Sequence, residues 1–235
     1  MDALEDYLAK QHGGRVLDVA TGEGWFASFL AENLADYDSI TGVDVSERNI
    51  EGARERCTAE RVTFEAMDGK HLTFPDNSFD TVAISYSLHH LDDVDAVLDE
   101  MKRVLKPGGL FVVGEVNSDN QSERQMTHVL IHHWWAEIDR IRGVPHFETY
   151  TTEQIRAFVS RLDLKDLFEV LDPGNPDGCE EKTVFWVKEK CREYADHIKD
   201  DPKHESLVQR GRELLRRVDE VGLGVGTTVC LVGRK

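Results

Sequence analysis

Asp18 closes an apolar run, Val16-Leu17-Asp18-Val19, and Ala20, Thr21, Gly22 and Gly24 follow it closely. An acid at a strand end accepts hydrogen bonds from a cationic amino group, directly or through water. Small residues after it let a ligand touch the backbone, because a Cβ pointing into that space holds the ligand away. Asp44 closes the next apolar run, Thr41-Gly42-Val43-Asp44, 20 residues after Gly24. That spacing suits a carboxylate gripping the two hydroxyls of a ribose. A third acid, in Met67-Asp68-Gly69, stands where it can take the exocyclic amine of an adenine.

Gly22-x-Gly24-x-x-Ala27 also satisfies the dinucleotide pattern G-x-G-x-x-[GA], which alone is a weak signal. Asp18 argues against it, since a turn that binds pyrophosphate at a helix N-terminus avoids a negative charge beside it.

The remaining chemistry-bearing residues are mostly histidines. Of ten, His89, His90, His128, His132, His133 and His146 fall at the end of a strand or in the segment beyond the core. Histidine is the natural base where an acceptor must lose a proton, its unperturbed pKa lying near neutrality. His128, His132, Trp135 and Asp139 follow helical spacing and form either an acceptor-facing stripe, a solvated cap face, or part of a metal site. No third ligand stands at recognisable spacing, so no metal is assigned. Glu115, at a strand end, is a candidate for acceptor binding or base work. Trp134, Trp135, Phe147, Phe185 and Trp186 either converge on an aromatic acceptor pocket or seal a cap onto its domain.

The elements that must position these groups alternate. Strand-like runs at residues 15–19, 39–43, 62–66, 79–85 and 110–113 are separated by helix-like segments at 22–35, 46–58 and 92–105. That order predicts a parallel sheet with helices on both faces. Val94, Val97, Leu98, Met101 and Leu105 make one apolar stripe, and Pro107-Gly108-Gly109 is expected to stop that helix. Leu4, Tyr7, Leu8 and Gln11 share a face of a short helix that either crosses the ligand-binding edge or simply packs. A long helix is expected over 121–142, with Met126, Leu130, Trp134, Ile138 and Ile141 as its buried stripe. Thr151-Thr152-Glu153-Gln154 opens another helix, 167–171 is a sixth strand, and 180–221 is helical with a break at Asp200-Asp201-Pro202. Residues 226–233 form a terminal strand.

The chain has 235 residues, 40% of them hydrophobic and 31% charged, the make-up of an ordinary globular protein. A formal charge of −17 repels phosphate backbones and anionic lipid, so neither nucleic acid nor membrane is expected as a partner. No apolar run approaches the roughly 20 residues of a membrane span, and Met1-Asp2-Ala3-Leu4-Glu5-Asp6 has no signal-peptide pattern, which points to a cytoplasmic location. The four cysteines form no C-x-x-C pair and are read as reduced thiols.

Taken together, residues 16–115 resemble the core of class I S-adenosylmethionine-dependent methyltransferases, particularly the small-molecule and quinone-biosynthesis branches. The resemblance rests on the Asp18-to-Gly24 loop, Gly42-Val43-Asp44-Val45-Ser46, Met67-Asp68-Gly69, Phe79-Asp80 leading to Leu88-His89-His90-Leu91, and Leu105-Lys106-Pro107-Gly108-Gly109. Ala20 stands where the family usually has glycine. The resemblance implies a single Rossmann-like α/β domain over residues 1–235, with a doubly wound seven-stranded sheet, mostly parallel, and an antiparallel final strand. Its parts are a core at 13–115, a helical cap at about 116–150, a second helical insertion at about 180–221 and the terminal strand. It implies S-adenosylmethionine as cofactor and a small-molecule acceptor under the cap. Ala20, Thr21, Gly22 and Gly24 would line the methionine part and Asp18 its amino group. Asp44 would hold the ribose, Val45 would pack on the adenine, Asp68 and Gly69 would read the adenine edge, and Ser85 would give a backbone contact. Tyr86, His89, His90, Glu115, His128 and His132 are the candidates near the reacting groups. Two rivals remain: a nicotinamide-dependent oxidoreductase, and an adenosyl-ligand binder without chemistry. Neither the acceptor nor the oligomeric state is legible in the sequence.

Overall fold

The computed structural model describes residues 2–235. Five strands alternate with helices in the first half: β1 (Arg15–Val19), β2 (Ser39–Asp44), β3 (Val62–Ala66), β4 (Phe79–Ser85) and β5 (Leu105–Val116). They are joined by α2 (Trp25–Asn33), α3 (Glu47–Arg56) and α4 (Val94–Val104), and preceded by α1 (Asp2–Leu8). Parallel pairs β1–β2, β2–β3, β1–β4 and β4–β5 follow from the crossover connections. The sheet is completed by β6 (Lys165–Asp172) and β7 (Thr228–Arg234), giving the order β3-β2-β1-β4-β5-β7-β6 with β7 antiparallel to both neighbours. This is the expected doubly wound seven-stranded sheet with an antiparallel last strand.

Each sheet face has its own core. Leu98, Met101, Val104 and Ile155 bury one face beneath α4 and α6 (Thr152–Ser160). Leu4, Leu8, Leu30 and Ile50 of α1, α2 and α3 bury the other. Each such side chain contributes about 1.5–3 kcal/mol when removed from water. Tyr7 stacks on Phe168 at 4.5 Å, so α1 is a packing element on that face.

A third layer stands beyond the sheet: α5 (Glu123–Ile141), α7 (Glu181–Asp196) and α8 (Glu205–Glu220) share a core containing Trp134, Ile138, Cys191 and Leu214. α8 approaches α5 so closely that a Cβ on Gly211 would lie 2.4 Å from the Trp134 ring. The Trp134 indole in turn donates to the Leu207 carbonyl at 2.9 Å. The expected α5 stripe needs correction, because Leu130 and Ile141 are exposed while Val129, Ile131 and Trp135 are buried. α5 is covered on more than one side, so no single stripe describes it.

Local signals explain most boundaries. Ser46 and Asp93 cap α3 and α4 through Asn49 N and Ala96 N. Ser122/Gln125 and Thr151/Gln154 form full capping boxes on α5 and α6. One expectation fails: Pro107-Gly108-Gly109 does not end α4. Leu105 is already extended and begins β5, and 106–109 form an irregularity inside that strand, between the Phe79–Leu105 and Thr81–Leu110 pairs. Gly109 must be glycine there, since a Cβ would meet the Asp80 carbonyl at 2.8 Å.

Candidate functional site

β1 and β4 are neighbours although two strands separate them in sequence, so the chain reverses its winding between them. In such sheets the crevice beyond the strand ends at this reversal is where ligands bind. A cavity of about 660 Å³ opens there. Val19, Ala20 and Gly22 line it from the β1 loop, and Asp44, Val45, Ser46 and Asn49 from the β2 end. Met67, Asp68, Gly69 and Lys70 follow β3, and Tyr86, Ser87, His90, Leu91 and Asp92 follow β4. Val97 of α4 and Val144 and Pro145 of the loop after α5 complete it. A hollow of about 690 Å³ between residues 199–202 and the start of α8 carries none of the motif residues.

The β1 loop is held in an unusual shape. Ala20 and Gly22 have φ of 54° and 55°, and Gly24, the residue before α2, has φ of 80°. A Cβ on Gly22 would meet nothing within 4 Å. It would project into open space at the cavity wall, so the glycine leaves room that any side chain would fill.

Asp44 is fixed from three sides. Its Oδ2 accepts from Gly22 N at 2.9 Å, and its Oδ1 accepts from Ser46 N at 2.9 Å and Asn49 Nδ2 at 3.1 Å. A carboxylate has about four acceptor directions, so one remains for a ligand hydroxyl. Val45 beside it is 78% exposed, an apolar side chain presented to the cavity. Asp68 turns its own loop through Lys70 N at 2.9 Å, and Lys70 Nζ reaches both Asp92 oxygens at 2.9 Å, joining two walls.

Asp18 behaves differently. It is wholly buried, with Oδ2 accepting from the Thr21 hydroxyl at 2.5 Å while Oδ1 has no partner among the described residues. Burial raises its carboxyl to about 7, a rise offset in part by Thr21 and a backbone contact from Ala27, and increased by the charge of Asp44. Ala27 lies in the first turn of α2. The acid therefore stands buried beside the first turn of α2, near the helix start where a dinucleotide fold places pyrophosphate.

Asp18, Thr21, Gly24 and Ser85 are not among the wall residues, whereas Ala20, Gly22, Asp44, Val45, Asp68, Gly69, Tyr86 and His90 are. Ser87 and Asn49 were not singled out from sequence. The Ser87 hydroxyl lies 3.1 Å from Ala20 O and 2.8 Å from Ser85 O, linking the β1 and β4 loops. Asn49 had a visible signal, its place three residues after the N-cap Ser46 that follows Asp44. Tyr86 adopts φ of 50° and its hydroxyl bonds Thr228 Oγ1 at 2.8 Å.

The histidines converge. His89 is buried, with Nδ1 2.9 Å from Glu115 Oε1. Glu115 is wholly buried and also accepts from Leu88 N at 2.7 Å and Val116 N at 2.9 Å, so its oxygens face protein donors and it is absent from the cavity wall. His146 bonds Asp139 Oδ2 at 2.8 Å through Nδ1 and lies 3.4 Å from His132 Nε2 through its own Nε2. His128 turns aside, its Nδ1 accepting from Gly226 N at 3.3 Å. The helical set His128, His132, Trp135 and Asp139 is buried or half-buried, which removes the reading of a solvated face. His90 opens onto the cavity, yet desolvation by the surrounding protein and the neighbouring His89 and His146 push it down to about 3. Burial, then the same neighbours, also lowers His132 well below the usual histidine range.

The aromatic residues do not gather at the cavity. Trp134 and Trp135 are buried in the helical layer, and Phe147, Phe185 and Trp186 are exposed outside the cavity wall.

Residues 17–113 match the family described as "Methyltransferase domain". Over these residues the chain is similar to a methyltransferase domain. It is 31% identical over 179 residues to methyltransferase GfsG of Streptomyces halstedii, which covers 74% of this chain and 63% of that protein. It is 40% identical over 110 residues to the ubiquinone/menaquinone biosynthesis C-methyltransferase UbiE of Geobacter sulfurreducens, covering 45% of this chain and 43% of that one. The chain thus spans less than two thirds of the length of these curated relatives. Its fold is similar to that of the YcgJ protein of Bacillus subtilis, with a TM-score of 0.62 at 18% identity, covering 100% of this chain and 97% of that one. The methyltransferase-domain match ends within β5, so the helical layer of α5, α7 and α8 lies outside it.

Proposed function

We propose that this chain transfers the methyl group of S-adenosylmethionine to a small-molecule acceptor bound at the His90 and Tyr86 end of the cavity. The observation that carries the reading is the pair of strand-end acids. Asp44 is locked facing the cavity with one acceptor direction left, and Asp18 stands buried beside the first turn of α2, near the helix start where a phosphate-bearing cofactor would need a positive field.

The cofactor brings a methyl group already activated on a positively charged sulfur. The protein's work is to hold, orient and exclude water, which can lower a barrier by about 7–11 kcal/mol. Ala20 and Gly22 receive the amino-acid part at the backbone, with the buried, hydrogen-bonded Asp18–Thr21 pair behind them. Asp44 takes one ribose hydroxyl through its remaining acceptor direction, Val45 packs on the adenine, and Asp68 and Gly69 meet its edge. Thr21, Gly24 and Ser85 shape these loops from behind the wall.

His90 presents a neutral ring to the acceptor. With its pKa near 3 it orients an acceptor hydroxyl or amine but is a weak base at neutral pH. The relatives' names, among them one in ubiquinone/menaquinone biosynthesis, support a small organic acceptor. The strong negative charge supports the exclusion of nucleic acid. The described residues contain no helix long and apolar enough to cross a membrane. α5, α7 and α8 act as the cap of the same domain.

Incubating the protein with methyl-labelled donor and fractionated cell extract tests the reading. Label in a small-molecule fraction is expected; label in none, with the donor bound, makes the chain a binder without chemistry.

A further inference from the structure

We infer that His89, His90, His132 and His146 form a binding site for one divalent first-row transition-metal ion, zinc fitting best, at the acceptor end of the cavity. The four residues come from three separate segments: the turn after β4, the middle of α5 and the loop that follows α5. Each offers one ring nitrogen, and these four atoms lie within 4.8 Å of one another. His132 Nε2 and His146 Nε2 are 3.4 Å apart. Zinc–nitrogen bonds of about 2.0–2.1 Å in a tetrahedron require ligand atoms about 3.3–3.4 Å apart, so this pair already stands at the required edge length.

The surroundings are those of a metal site. His89 and His146 each point Nδ1 at a carboxylate, Glu115 at 2.9 Å and Asp139 at 2.8 Å. A histidine that donates one ring N–H to a carboxylate has its tautomer fixed and its other nitrogen free as a metal ligand. The carboxylates are themselves held, Glu115 by two backbone N–H groups and Asp139 by the Tyr194 hydroxyl at 2.8 Å.

Four imidazoles without an oxygen donor suit zinc, copper, nickel or cobalt and not magnesium or calcium. His89 and His146 are buried and His132 is half-buried, while His90 reaches the cavity wall. His90 is therefore the exchangeable ligand, the position an acceptor oxygen or nitrogen can take. That last assignment rests on the methyltransferase reading; the site itself does not.

The test uses full-length protein freed of any purification tag, stripped with a chelator and titrated with Co²⁺ alone. One Co²⁺ per chain with the visible spectrum of a tetrahedral centre, displaced by Zn²⁺, is expected. His132→Ala is expected to weaken binding at least about 100-fold, and His90→Ala about 10-fold or more, while His12→Ala at an exposed surface changes nothing. Should His132→Ala fail to fold by circular dichroism, His90→Ala decides. Absence of Co²⁺ binding by the wild type, or equal binding by wild type and His90→Ala, overturns the site. Calorimetry of the same stripped protein with S-adenosylhomocysteine separates the two readings. Donor-product binding without Co²⁺ binding rejects the metal alone, and the converse rejects the methyltransferase assignment alone.

Discussion

Gly22 donates its backbone N–H to Asp44 Oδ2 at 2.9 Å, tying the loop after β1 to the carboxylate that ends β2. Two walls of the cavity are thus set by each other. A change at Asp44 alters both a cavity-facing carboxylate and the shape of the β1 loop that lines the same cavity.

Replacing Asp44 by alanine removes a charged hydrogen-bond acceptor, each such bond being worth about 1.5–3 kcal/mol. Affinity for S-adenosylhomocysteine is expected to fall about 10- to 100-fold, with Asp44→Asn intermediate. Calorimetry checks this, and an unchanged affinity removes Asp44 from the site.

Asp18 predicts a pH dependence with a definite sign. Its folded pKa of about 7 lies above the ordinary aspartate value of 3.8, so between those values the folded state keeps a proton that the unfolded chain has lost. Its contribution to stability is present at low pH and is lost as pH rises through the window, by at most about 1.4 kcal/mol per unit. Denaturant melts of wild type and Asp18→Asn at a series of pH values should therefore show the variant gaining on the wild type from about pH 4 to about pH 7, then levelling. A difference that stays flat across that range contradicts the buried protonated acid.

Glu115 is expected to matter for stability. Alanine there leaves two backbone N–H groups and the His89 ring without their acceptor, a loss of about 3–5 kcal/mol. Glu115→Gln keeps one acceptor oxygen and should lose less. Thermal melts order the three proteins, and an alanine variant as stable as wild type would show that Glu115 is not the buried anchor described.

Gly211→Ala tests the independence of the helical layer. Its Cβ would stand 2.4 Å from Trp134, and overpacking of this kind destabilises by about 1–3 kcal/mol. Neither residue lines the cavity, so affinity for S-adenosylhomocysteine should be unchanged while the melting temperature drops. A fall in affinity without a fall in stability would place α5 and α8 in contact with the ligand.

The sheet was legible because its signals are local. Apolar strand runs, the Thr151 opening of α6 and the 3.6-residue stripe of α4 each act within a few residues. Errors arose where distant elements decide the outcome. Leu105 continues into β5 because its pairing with Phe79 outweighs the Pro-Gly-Gly signal, and α5 hides Trp135 because α7 packs on it. For the site, the glycine loop and strand-end acids declared themselves by order and spacing. The histidine cluster did not, since its members are brought together only when the loop after α5 folds back, with Phe147 N donating to His89 O at 2.7 Å. No periodicity within one segment records that contact.

The cavity beyond β1 and β2 is expected to recognise an adenosyl amino acid and not a dinucleotide. Calorimetric titration of the purified chain with S-adenosylhomocysteine, and separately with nicotinamide dinucleotide, tests it most directly. Saturable one-to-one binding of the thioether alone is predicted. Binding of the dinucleotide alone, or of neither compound, contradicts the account.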